Sequence, residues 1–345
     1  TDSVKLVDRS GIANVIRKDD YPGIVNRVKI LSNLDISEKR LPQDGRIMFS
    51  RNGVKFDIRT SVMPTVFGEK MVMRLLVRDS RRLALDSLGF TERQLANYKS
   101  AISRPYGMIL ISGPTGSGKS TTLYATLELL NRDDNNILTI EDPVEYTVAG
   151  VNQVQLKEEI GLTFPVALRS FLRQDPDIIM LGEIRDEDTA EMAVRSSLTG
   201  HLVLSTLHTN SAWGCVARMI DMGVHPYMLS ETLAACVAQR LVRRLCPYCK
   251  KEDSSEKVSA GIITGTARTY RRCGCEKCYY TGYSGRKAIY EVILVDDEIA
   301  DAIRHEVSNI DEHMKSRNII SLKDSATNLY LAGETSLEEI LPMIN

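Results

Sequence analysis

Gly113-Pro114-Thr115-Gly116-Ser117-Gly118-Lys119-Ser120 matches the phosphate-loop pattern G-x-x-x-x-G-K-[ST] at every fixed position. Glycine lacks Cβ and reaches φ > 0, so such a stretch can curl its N–H groups around phosphate oxygens. A helix starting there adds the positive end of its dipole. The pattern predicts a nucleotide held by Gly113, Pro114, Thr115, Gly116, Ser117, Gly118, Lys119, Ser120 and Thr121. Lys119 would reach the β- and γ-phosphates of ATP, and Ser120 would ligate Mg²⁺. The motif needs strand, turn and helix in that order. The apolar run 108–111 supplies the strand, and residues 121–130, with Leu123, Leu127 and Leu130 on one face, supply the helix.

Two acidic clusters extend the chemistry. The apolar run 178–181 ends on Gly182-Glu183, and a carboxylate at such a strand end can hold Mg²⁺ through water. Glu141-Asp142-Pro143-Val144-Glu145 follows another short apolar strand, 137–140. Open α/β sheets bind ligands at the carboxyl ends of their strands, so both clusters belong beside the phosphate loop. Several carboxylates near a triphosphate repel it unless one holds Mg²⁺ or orients water. Glu145 is the choice for activating the attacking water, with Glu141 and Asp142 as alternatives. His201 and His208 flank a third strand around 202–204, where an imidazole can sense a γ-phosphate.

Cys246-Pro247-Tyr248-Cys249 and Cys275-Glu276-Lys277-Cys278 are two C-x-x-C knuckles separated by 25 residues. Two such turns offer the four thiolates of a tetrahedral Zn²⁺ site. Cys273 could replace Cys275, and disulfides are the competing reading. Cys215 and Cys236 read as packing residues.

These sites need a scaffold, and the chain is long enough for two or three domains. Its 345 residues carry a net charge of −1, with 43% hydrophobic and 6% aromatic residues. Near-neutral charge removes a general drive toward nucleic acid or an anionic bilayer. No apolar run approaches the ~20 residues that span a membrane. The chain starts at Thr1 with no secretory-signal pattern, so a longer parent and a reducing cytosolic setting are expected. Residues 1–78 read as a small α+β domain, with a helix at 25–34, strands at 46–49, 54–58 and 71–76, and an Asn52-Gly53 turn. Residues 79–90, with Arg81-Arg82, read as a linker. Strands and helices alternate over 91–245, which argues an α/β core with a mostly parallel sheet. Residues 246–282 form the four-cysteine insert, and 283–345 read as a helical C-terminal region, including a capping-box pattern at Ser336–Glu339.

Together, Thr139 to Glu145, Arg173-Gln174-Asp175-Pro176-Asp177, Gly182-Glu183-Ile184-Arg185-Asp186 and Ser205 to Thr209 resemble the signatures of the type II/type IV secretion ATPase superfamily. The chain is most similar there to the type II secretion and type IV pilus assembly branch, from about Tyr21 onward. The resemblance implies a RecA-like P-loop NTPase core in a homo-hexameric motor that hydrolyses ATP between its N-terminal and core domains. Glu145 falls on the catalytic glutamate of the family's Asp box, Glu183 on the Walker B glutamate, and His201 to His208 on the His box. Arg46 and Arg59 would reach the γ-phosphate. Arg169 and Arg173, four apart on one helix face, would act at the subunit boundary. The implied partners are inner-membrane platform and docking proteins, with the ring cytoplasmic and peripheral at that membrane. Assembly and secretion members carry the cysteine insert, which retraction ATPases generally lack. The rivals are a pilus-retraction or DNA-uptake ATPase, a zinc-ribbon P-loop protein that binds nucleic acid, and a nucleotide switch without turnover. No nucleic acid is expected.

Overall fold

The computed structural model describes residues 3–8, 11–51, 54–77, 84–252 and 269–344. The chain divides into two compact units, one through Arg82 and one from Leu83. In the first, β1 (Ser3–Asp8) and β2 (Gly11–Arg17) pair antiparallel. Helix α1 (Tyr21–Leu31) carries Pro22 in its first turn, where a fixed φ is well placed. Its Lys29 is fully buried, and its ammonium is held by Glu69 at 2.5 Å and by the Glu38 carbonyl at 2.8 Å.

A three-stranded antiparallel sheet follows, built from β3 (Gln43–Arg51), β4 (Val54–Thr65) and β5 (Gly68–Val77). Strand β4 runs well past the Ile58 boundary expected from sequence. Thr60 and Val62 are buried while Ser61 and Met63 are exposed, so the period of two continues through polar residues. The Asn52-Gly53 turn and the Arg81-Arg82 segment lie outside the described residues.

The second unit opens with α2 (Glu92–Ile102), capped by Thr91 and Gln94 in a reciprocal capping box. Then come β6 (Gly107–Ser112), α3 (Lys119–Leu130), β7 (Ile137–Glu141), β8 (Asn152–Gln155), α4 (Phe164–Phe171), β9 (Ile178–Leu181), α5 (Glu187–Leu198) and β10 (Leu202–Leu207). Helices α6 (Gly214–Asp221) and α7 (Pro226–Thr232) lead to β11 (Leu233–Leu245). After the short pair β12 (Lys251–Glu252) and β13 (Tyr270–Arg271), β14 (Tyr283–Leu294) returns to the sheet. Helices α8 (Asp297–Arg304), α9 (Asp311–Ser316), α10 (Leu322–Leu331) and α11 (Leu337–Ile344) close the chain.

The seven-stranded sheet has the order β14-β11-β6-β10-β9-β7-β8. All neighbours are parallel except β14, which runs antiparallel to β11. Strands β6, β9 and β10 are buried along their whole length, as a parallel sheet covered on both faces requires. Met108 and Leu110 join the apolar layer on one face, Ile109 and Ile111 the layer on the other. No helix among the described residues is long and apolar enough to cross a membrane.

Residues 283–294 correct the sequence reading: they form a sheet strand, and the helical segment begins only at Asp297. The capping-box pattern at Ser336–Glu339 is spent on tertiary contacts. The Ser336 hydroxyl pairs with Tyr283 Oη at 2.7 Å, and Glu339 binds Arg243.

Glu291 on β14 is a buried carboxylate with two structural donors. Its Oε1 accepts the Ala212 N–H at 2.8 Å and its Oε2 the Leu322 N–H at 3.1 Å, tying the segments before α6 and around the start of α10 to the sheet. Burial pushes its carboxyl above the ordinary 4.5, against the two N–H donors that favour the charge. The folded state therefore binds this proton more tightly than the unfolded chain. Its contribution to stability is full below about pH 4.5 and is lost as pH rises through the folded value. Glu291→Gln is expected to remove that slope in urea unfolding measured across pH. It should also cost about 1–3 kcal/mol near neutrality, because an amide N–H₂ then faces one of the N–H donors.

Candidate functional site

The phosphate loop is the six-residue turn between β6 and α3. Its glycines answer to neighbours as well as to φ. A Cβ on Gly113 would meet the Gln239 carbonyl at 2.5 Å, and one on Gly118, at φ +93°, would meet Gln239 Nε2 at 2.7 Å. Strand β11 thus packs its Gln239 against both ends of the loop. The Gln239 Oε1 also accepts the Thr122 hydroxyl at 2.9 Å, which anchors the first turn of α3. The outer side is open, with Pro114, Thr115, Gly116, Ser120 and Thr121 exposed. Among the described residues, the amides of Thr115, Gly116, Gly118, Lys119 and Ser120 have no acceptor in the chain. Ser117 Oγ is buried without a partner. Lys119 Nζ donates to the Gly113 carbonyl at 2.7 Å, and burial holds its pKa below the ordinary value. Unpaired amides around a desolvated ammonium fit a phosphate chain.

The acidic turn after β7 separates its three carboxylates by environment. Glu141 is 4% exposed and accepts from Thr139 Oγ1 at 2.6 Å, Gln153 Nε2 at 3.1 Å and the Tyr124 hydroxyl. Those donors commit it to holding the turn. Asp142 is exposed, 3.9 Å from Arg185. Glu145 is half-buried, and its backbone N–H donates to Tyr124 Oη at 3.1 Å. Burial, with Glu141 second, pushes the Tyr124 phenol strongly up, so it stays a neutral donor. Because Tyr124 sits on α3, one phenol locks the helix after the phosphate loop to the acidic turn.

Glu183 follows β9 by two residues. Gly182 fixes its direction, donating to the Ile140 carbonyl at 2.8 Å and accepting the Thr206 hydroxyl at 2.8 Å. The Glu183 carboxylate pairs with Arg185 through one oxygen and accepts from His208 Nε2 at 3.2 Å through the other. His208 lies just past β10, at the rim. His201 flanks the strand at its other end. It precedes β10, level with the start of β6 rather than its end, about 16 Å down the sheet by strand rise. Its Nδ1 sits 2.9 Å from the Ser196 carbonyl, closing the end of α5.

Arg169 and Arg173 are both exposed, but α4 stops at Phe171, so they do not share a helix face. Arg173 Nη1 instead donates back to the Arg169 carbonyl at 2.9 Å. Arg46 and Arg59 are register partners across β3 and β4 in the first unit, where Arg46 forks onto the buried Asp57. Sequence reasoning missed Tyr124, Gln153, Gln239, Arg240 and Asn210. Gln239-Arg240 was detectable as a polar pair interrupting the apolar run of β11, since buried polar groups carry the information in a core strand.

The cysteine insert brings Cys246, Cys249, Cys275 and Cys278 together, all four sulfurs within 4.8 Å of one another and none in a disulfide. Cys273 is not in the group, so the structure selects Cys275. The Cys246–Cys275, Cys249–Cys278 and Cys275–Cys278 sulfur separations are 3.9, 3.8 and 3.7 Å. A tetrahedron with metal–sulfur bonds of about 2.3 Å has edges of about 3.8 Å. Cys278 Sγ also accepts the N–H groups of Cys275 and Gly282, each at 3.3 Å. Desolvation raises its pKa, but these donors and the neighbouring thiols overcome it and leave the thiol lowered to about 6. The donor set fits a soft divalent cation.

A parallel sheet with helices on both faces, a glycine-rich turn at the end of β6 and carboxylates at neighbouring strand ends define a P-loop NTPase core of the RecA-like kind. A family model described as "Type II/IV secretion system protein" matches residues 11–342. The type IV pilus assembly ATPase PilB of Myxococcus xanthus is 51% identical over 92% of this chain and 58% of its own length. The type II secretion system ATPase E of Vibrio cholerae is 47% identical over 92% of the chain and 64% of its own. Among solved structures, the pilus retraction motor PilT with bound ADP aligns over 99% of this chain and 89% of its own, at 25% identity and a TM-score of 0.69. The Legionella pneumophila ATPase DotB, at 20% identity, shares the fold over 97% of this chain and 86% of its own, with a TM-score of 0.70. The chain belongs to the type II/IV secretion system protein family, as its acidic and histidine motifs implied. It spans about three fifths of the length of the first two curated relatives it matches.

Proposed function

We propose that this chain is the ATP-hydrolysing part of a traffic motor that drives assembly of pilins or pseudopilins, in type IV pilus biogenesis or type II secretion. The observation that carries this reading is the gathering of the phosphate loop, Glu183, Glu145 and His208 on one rim of the parallel sheet. The names of the Myxococcus and Vibrio relatives support the two destinations, and the ADP named with the retraction motor supports the nucleotide.

In this reading the Gly113–Thr121 segment binds ATP and Lys119 leaves its loop carbonyls for the β- and γ-phosphates. Ser120, and Glu183 through water, would hold Mg²⁺, which supplies charge neutralisation on the transferring phosphoryl group. Glu145 takes the proton of the attacking water, and His208 reports the γ-phosphate through Glu183. Arg46 and Arg59 would grip the γ-phosphate, and Arg169 and Arg173 would serve the neighbouring subunit of a homo-hexamer. Cys246, Cys249, Cys275 and Cys278 would hold Zn²⁺. The ring would work in the cytoplasm, docked on inner-membrane platform and docking proteins.

Titration of ATP and ADP with Mg²⁺ into the purified chain, alongside a phosphate-release assay, tests the reading. Saturable binding and a specific activity that rises with protein concentration are expected. Absence of ATP binding at millimolar nucleotide, or binding without phosphate release at any concentration, would overturn it.

A further inference from the structure

Strand β6 has β10 on one side and β11 on the other. Leu207 of β10 and Ala238 of β11 both register with Ser112, the last residue before the phosphate loop. Beyond that level the two flanking segments meet. Arg240 Nη2 donates to the Asn210 carbonyl at 3.1 Å and to Asn210 Oδ1 at 3.3 Å, and Arg240 Nη1 donates to the Gln239 carbonyl at 3.0 Å. The guanidinium therefore spans the end of β6 where the chain turns into the loop. The Ser112 hydroxyl donates to the Ser211 carbonyl at 3.2 Å, which pins the Asn210 segment over the same strand end.

The oxygens that accept hydrogen bonds from this guanidinium are all neutral, and the Glu291 carboxylate acts on it from a distance. Among the described residues, neither Arg240 nor Lys119 forms an ion pair with a carboxylate. Both are half-buried, and burial lowers both of their pKa values; the Glu183 charge works against this at Lys119 and the Glu291 charge at Arg240, while Arg240 depresses Lys119 further. Their direct contacts are neutral oxygens, and the Glu183 and Glu291 carboxylates act on them only from a distance, so an anion in direct contact with both cations would lower the cost of their burial. Asn210 lies two residues after His208, which bonds Glu183, so one short segment links the guanidinium to the acidic residues.

We propose that Arg240 is a phosphate-binding residue of the same subunit, which releases Asn210 to contact the terminal phosphate of a nucleoside triphosphate held by the loop. This rests on the nucleotide reading above and adds a residue outside the G-x-x-x-x-G-K-[ST], acidic and histidine motifs. It also supplies a route from nucleotide to the His208–Asn210 segment, because the same guanidinium serves both.

Isothermal titration of MgATP and MgADP into the whole chain, wild type and Arg240→Gln, tests it. A lost charge-assisted contact is expected to weaken ATP binding about 10- to 100-fold. ADP binding should stay within about threefold, since the terminal phosphate is missing. Arg240→Lys retains a cation at the same strand position, so it should fall between the two for ATP and serves should the glutamine variant not fold. Equal losses for ATP and ADP, or no loss of ATP, would overturn the assignment to the terminal phosphate. Failure of the wild-type chain to bind ATP would instead overturn the nucleotide reading.

Discussion

Glu145→Gln is expected to slow steady-state phosphate release by about 10²- to 10⁴-fold, the usual contribution of a positioned general base, while ATP affinity stays within a few-fold. The three acids of the turn share a sequence neighbourhood but not a task. Glu141 is buried under three donors, so its charge is already used to hold Tyr124, Thr139 and Gln153. Its replacement by glutamine should appear as lost stability of about 1–3 kcal/mol, because an amide cannot accept from all three donors. Asp142 is exposed beside Arg185. Glu145 is half-buried at the sheet rim, with its backbone fixed through Tyr124. Tyr124→Phe should therefore lower turnover with little effect on ATP binding. Single-turnover phosphate release with tryptophan-monitored unfolding separates these variants. If Glu145→Gln turns over ATP at the wild-type rate while Asp142→Asn does not, the assignment moves to Asp142.

The phosphate loop was legible in the sequence because its requirement is local. Glycines at fixed spacing and a strand-to-helix switch specify backbone shape without any distant partner. The apolar strands 108–111, 137–140 and 178–181 were legible for a related reason, since a strand buried on both faces is a short unbroken apolar run. Strands β11 and β14 were not, because their polar residues are satisfied only by each other and by remote elements. Gln239 is an acceptable core residue only once Thr122 and the loop glycines pack on it. Glu291 is acceptable only once Ala212 and Leu322 donate to it. Of the two histidines that flank the strand, the sequence also tells which one can reach the ligand. A residue that precedes a parallel strand sits at the end away from the ligand rim, and only His208 follows one. The ranking of Glu141 against Glu145 was beyond the sequence, since the deciding group, Tyr124, lies on a helix 17 residues before Glu141.

Removal of metal from the cysteine insert is expected to have the other large effect, and to be local. Purified, unchelated chain should carry one zinc by elemental analysis. Cys275→Ser should abolish it, and Cys273→Ser should leave it intact. Structural zinc sites in small peptides contribute roughly 10–16 kcal/mol of apparent binding free energy, so the folding of the knuckles would be tied to occupancy. The main sheet is less dependent. Leu245 and Tyr283 are paired across β11 and β14, and the Cys246 N–H donates to the Gly282 carbonyl at 2.9 Å, so the excursion is closed at its base without metal. Once a strong chelator is added, trypsin should cut at Lys250, Lys251, Arg271 or Arg272 at least about tenfold faster, as expected when local opening no longer works against metal binding. Cleavage within residues 107–245 should change little. A chain that contains no zinc as purified, or one whose core is cut as fast as its knuckles after chelation, would show that the four sulfurs do not hold this part of the fold together through a metal.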